Sequence, residues 1–78
     1  MREITIQFRS FRDVRDFAAL AGRQSFLITV GTERYRVNAV SVLGMFTLNC
    51  RKPVTASFEC SDGEYATFLQ EAEAFLVK

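Results

Sequence analysis

The chain of 78 residues contains no histidine, one proline and only two cysteines, Cys50 and Cys60. Each scarcity excludes something. Two thiols without an imidazole cannot fill a tetrahedral zinc site from one chain unless several carboxylates join them, so no metal is expected. Without histidine, the side chain that ordinarily titrates near neutral pH is missing. Glu71 and Glu73, two apart on an expected helix, cannot face each other, and no carboxylate pair suggests acid–base catalysis. The reading is therefore a non-enzyme without a cofactor. No apolar run approaches the ~20 residues that cross a bilayer, and no signal-peptide pattern precedes the charges that begin at Arg2. Two idle thiols in a cytoplasmic protein are the expectation that follows. Cys50, beside Arg51 and Lys52, is the one thiol whose neighbours favour the thiolate.

What is present describes one small domain spanning 1–78. Hydrophobic residues make up 49% of the chain and charged residues 24%, a balance that folds rather than staying disordered. A net charge of +1 argues against a uniform polyanion binder. Nucleic acid is a poor partner for a second reason: the aromatic residues fall on expected core stripes instead of a stacking platform. The charges are uneven. Residues 1–52 carry nine basic side chains against four acidic ones, and residues 53–78 carry one against five. That asymmetry hints at an acidic partner.

The chain in order reads β-α-β-β-α-β-α. Ile4, Ile6 and Phe8 alternate with Glu3, Thr5 and Gln7, which predicts a half-buried strand over 2–8. The period then changes. Phe11, Val14, Phe17, Ala18 and Ala21 form one helical stripe. Ser10 stands as its N-cap with Asp13 in capping-box position, Arg12 is spaced to pair with Asp16, and Gly22 is the expected stop. Residues 26–30 and 34–37 read as a hairpin around Gly31-Thr32-Glu33. Ser41 to Leu48 is a short helix expected to bury Val42, Met45 and Phe46, leaving Leu43 off the core stripe. Val54, Ala56, Phe58 and Cys60 define a fourth strand, with Pro53 at its start. Ser61-Asp62-Gly63 is turn and cap chemistry. A last helix over about 62–77 carries Tyr65, Phe68, Leu69, Ala72, Phe75 and Leu76 on one stripe. Four strands with one wet face each make an α+β open-faced sandwich, its sheet mostly antiparallel and its helices on one side.

The segment Val37-Asn38-Ala39-Val40-Ser41-Val42-Leu43-Gly44-Met45-Phe46-Thr47-Leu48 resembles a stretch of the HPr family, the histidine phosphocarriers of the bacterial sugar phosphotransferase system. Val37-Asn38, Ser41 and Gly44 stand in the family's order and spacing, and Val40 replaces its lysine. The element order is also the family's. Counted back without gaps, Ser10 falls on the position of the phosphorylated histidine and Arg12 on the arginine that helps hold the phosphate. Asp13 replaces the proline that follows. The family reaction needs an imidazole, which is nucleophilic near neutral pH and forms a labile phosphoramidate. A serine ester is too stable to relay, so the chain is expected to lack phosphocarrier activity.

The resemblance implies a different use for Ser41, the position of the family's regulatory serine, which a dedicated kinase phosphorylates. One branch, the catabolite-repression proteins, keeps that serine without the active histidine. Val42, Leu43 and Phe46 match the apolar surface that partner proteins read. The implied partners are phosphotransferase-system enzymes, an HPr kinase or a transcriptional regulator. The expected function is a regulatory or adaptor role through Ser41, Val42, Leu43, Phe46 and Arg12. A docking partner or decoy that carries no phosphate is the alternative, and Ser10 as the acceptor in unrelated phosphoryl chemistry is a third reading. Ser41 as a simple N-cap and Arg9, Arg12 and Arg15 as a solvated face are the structural counterparts of these assignments.

Overall fold

The computed structural model describes residues 1–46 and 52–77. Its elements are β1 (Arg2–Ile6), α1 (Phe11–Gly22), β2 (Ile28–Gly31), β3 (Arg36–Asn38), α2 (Val42–Met45), β4 (Val54–Phe58) and α3 (Asp62–Glu71), followed by a 3-10 turn at Glu73–Phe75. The strands form one sheet in the order β1-β4-β2-β3, and every pairing is antiparallel. The helices cover one face. The expected α+β open-faced sandwich is therefore the fold observed.

The core lies between the sheet and the helices. Ile6, Ile28 and Val30 rise from the strands to meet Val14 and Phe17 of α1 and Phe68 of α3, all fully buried. Phe17 sits edge-on to Phe68 at 6.2 Å and to Phe75 at 5.3 Å, the perpendicular geometry that aromatic quadrupoles favour.

Gly31 ends β2 where no other residue fits. Its φ is +158°, and an added Cβ would lie 2.1 Å from the Tyr35 carbonyl oxygen. The hairpin turn closes there, with the Thr32 N–H donating to that oxygen at 2.9 Å.

Several expectations need correction. The predicted last helix over 62–77 ends at Glu71. Its stripe residues remain buried or half-buried, but the chain turns so that Phe75 reaches Phe8 and Phe17. Residues 75–77 then run along the edge of β1. Gln7 N–H donates to the Phe75 carbonyl at 2.9 Å and Val77 N–H to the Thr5 carbonyl at 3.1 Å. An open strand edge offers backbone partners that continued helix could not use. β1 and β4 stop short of the predicted strands over 2–8 and 54–60, and β2 begins after Phe26 and Leu27. Helix α1 runs through Gly22 and is capped by Arg23 in ordinary right-handed backbone, so Gly22 is not its stop.

At the start of α1, Ser10 holds the N-cap position, yet its hydroxyl makes no cap bond. Asp13 accepts instead from the Arg9 N–H at 2.9 Å. The ion pairs among the described residues are Arg2–Asp62 and Arg36–Glu3, so Arg12 and Asp16 do not pair. Ser57 lies on the open face, as its place in the alternation predicts, but is only 3% exposed. Its hydroxyl accepts from Arg36 at 2.6 Å and donates to Glu3 at 3.2 Å, a network laid across the open face of the sheet.

The start of α3 is closed by several side-chain bonds. Ser61 and Glu64 form a complete capping box, and Ser25 donates to the Glu64 carboxylate at 2.7 Å. The backbone N–H of Ser61, then the hydroxyls of Ser25 and Ser61, hold the Glu64 carboxyl below the usual glutamate range. Arg2 ties β1 to the same place. It pairs with Asp62, donates to the Cys60 carbonyl at 3.3 Å and lies 4.5 Å over the Tyr65 ring. Cys60 is half-buried against the core with a free thiol.

Candidate functional site: the exposed face of α1 and α2

The turn out of β3 sets the site. Val37 pairs with Val30 across the hairpin and packs half-buried on the core. Asn38 then bends the chain: its side-chain oxygen accepts from Val40 N–H at 3.1 Å and its carbonyl from Ser41 N–H at 2.9 Å. Buried Ala39 is pinned by its N–H to the Ile28 carbonyl at 2.9 Å. The chain emerges at Ser41, in extended backbone, as the N-cap of α2.

Ser41 caps with its side chain. Its oxygen accepts from Gly44 N–H at 3.1 Å, and its carbonyl accepts from Met45 N–H at 3.0 Å. Gly44 belongs to the same unit. A Cβ there would stand 3.0 Å from the Ser41 hydroxyl oxygen and 3.3 Å from the Val37 Cβ. The spacing of Val37, Asn38, Ser41 and Gly44 thus has a physical reason: strand end, side-chain turn, helix cap and the clearance the cap requires.

Helix α2 is one turn long, and Met45 is its fully buried anchor. Val42 is half-buried against the core. Leu43, which was expected off the core stripe, is 81% exposed. Phe46 was expected to be buried and is 43% exposed. It stacks on Phe11, with ring centroids 4.7 Å apart and planes 10° from parallel. Phe11, placed on the buried stripe of α1 from its spacing, is itself 55% exposed. The two rings cover one another in place of the core. Val40, 51% exposed, completes the face and lies 3.9 Å from where a Cβ on Gly22 would stand.

Of the site residues expected from the sequence, Leu43 and Phe46 come together on this face, and Val42 turns inward. Ser41 is exposed at the start of α2, and Ser10 is exposed beside Phe11. Arg12 is exposed on the first turn of α1 and forms no ion pair among the described residues. Cys50, Arg51 and the end of the predicted helix at Thr47 and Leu48 lie outside the described residues. Phe11 and Val40 are the members that sequence reasoning did not assign here. Val40 carried a usable signal, an apolar residue inside a turn. Phe11 carried only its place at the first helical position, where a stripe can run past the core.

The face offers apolar area for contact. Val40 and Leu43 stand in solvent with the Phe11–Phe46 stack, and the face also carries the exposed guanidinium of Arg12 and the capping hydroxyl of Ser41. Among the described residues no group of three or more His, Cys, Asp or Glu could hold a metal ion, and no helix is long and apolar enough to cross a membrane.

The same architecture is found in the crystal structure of HPr-C-His from Thermoanaerobacter tengcongensis. The TM-score is 0.72, with 28% sequence identity over 92% of this chain and 90% of that one. The chain has an HPr-like fold. No protein-family model and no curated protein matches the sequence. In this HPr-like chain, α1 and α2 carry the exposed face, and the Val37–Gly44 unit forms the entry to α2.

Proposed function

We propose that this HPr-like chain is a regulatory or adaptor protein related to the bacterial phosphotransferase system, working by protein–protein contacts in the cytoplasm and not as a phosphocarrier or an enzyme. One observation carries the reading: an exposed apolar face, centred on Leu43 and the Phe11–Phe46 stack, lies beside the exposed N-cap hydroxyl of Ser41. The lack of any histidine supports the second half of the proposal, because the relay needs an imidazole.

Ser41 is the proposed switch. Its oxygen already accepts a backbone N–H at the start of α2, so a phosphate there would meet donors that favour negative charge. It would add roughly −1.5 to −2 charges next to Val40 and Leu43 and change which surface can dock. The proposed partners are an HPr kinase, a transcriptional regulator and the system's own enzymes, with Arg12 contributing a positive contact.

The test is intact-mass spectrometry after incubation in separate tubes with an HPr kinase plus ATP and with enzyme I plus phosphoenolpyruvate. One phosphate gained in the first tube alone, and absent in Ser41→Ala, is the expected result. No gain in either tube would remove the phosphorylation switch. A gain in the second tube would overturn the argument from the missing histidine.

The exposure of Leu43 favours a second reading, in which the chain docks phosphotransferase-system enzymes without being phosphorylated, as a partner or decoy. Docking that persists in Ser41→Ala and disappears in Leu43→Asp would select it.

A further inference from the structure

We draw no further inference here: the strongest candidate outside the site already described, the shallow groove on the open side of the sheet between exposed Met1 and Leu27 with Ser57 and Thr29 beneath them, has nothing in the structure to show what covers it.

Discussion

Ser41 does two things at once, and single substitutions separate them. Its hydroxyl caps α2, so Ser41→Ala should lower stability by about 1 kcal/mol, the usual value of a serine N-cap, read as a reduced urea midpoint. Ser41→Asp keeps an acceptor and adds a negative charge at the helix start, so it should recover most of that loss. If Ser41→Asp is as unstable as Ser41→Ala, the cap geometry is not what holds α2. Gly44→Ala tests the same unit from the other side. Its Cβ would crowd the Ser41 hydroxyl oxygen at 3.0 Å and the Val37 side chain at 3.3 Å. The variant should lose stability although alanine is the better helix former. In Ser41→Ala the hydroxyl is gone, so the Gly44→Ala penalty should shrink there, and a double-mutant cycle in urea measures that coupling. Residue by residue, the sequence was informative where local chemistry decides the outcome, as at the Ser41 cap, whereas Asn38 and Gly44 were marked only by the family resemblance. The sequence misled at Phe11 and Phe46. A ring buried in the core and a ring resting on another exposed ring give the same helical spacing. Only the position of α2 beside α1 separates the two, and that is a tertiary fact.

At the scale of elements, the α3 start gives a pH test. The Glu64 carboxyl is held below its ordinary value in the fold by the Ser61 N–H and by the hydroxyls of Ser25 and Ser61. A carboxyl depressed in the folded state contributes stability that is fully present above its unfolded value and is lost as pH falls through its folded value. Glu64→Gln preserves the shape without the charge. The variant should melt below the parent protein near neutral pH, and the difference should vanish on acidification. A constant difference down to strongly acidic pH would mean that packing, and not the carboxylate, supports the box. Ser61-Asp62-Gly63 announced this helix start in the sequence. Its end was not announced, because the apolar stripe continues through Phe75 and Leu76 while the backbone does not. What ends the helix is the unpaired edge of β1, which takes Phe75 and Val77 as backbone partners. Strand alternation located β1 and β4 well. It also put Ser57 on the open face, where the residue sits; what it could not show is that an arginine reaching across the sheet from β3 covers it there.

Across the whole molecule, the residues that hold the fold and those proposed to meet partners are separable. Phe17 is fully buried and touches the rings of Phe8, Phe68 and Phe75. Phe17→Ala should cost about 3–5 kcal/mol and weaken every activity the chain has. Leu43 stands almost wholly in solvent. Leu43→Asp should change stability by no more than about 0.5 kcal/mol, as surface substitutions generally do. If the α1–α2 face is the docking surface, the same substitution should abolish binding, because it places a charge inside a patch that must be desolvated on contact. The pair is best followed by amide NMR, with unlabelled enzyme I or HPr kinase titrated into the labelled protein. The parent protein should show shifts confined to α1, α2 and the residues flanking α2, including Phe11, Val40, Leu43 and Phe46. Leu43→Asp should show an intact folded spectrum without them. Shifts that survive Leu43→Asp, or that map to the open face of the sheet, would move the partner surface elsewhere and leave the exposed rings as a local feature of how α2 is held against α1.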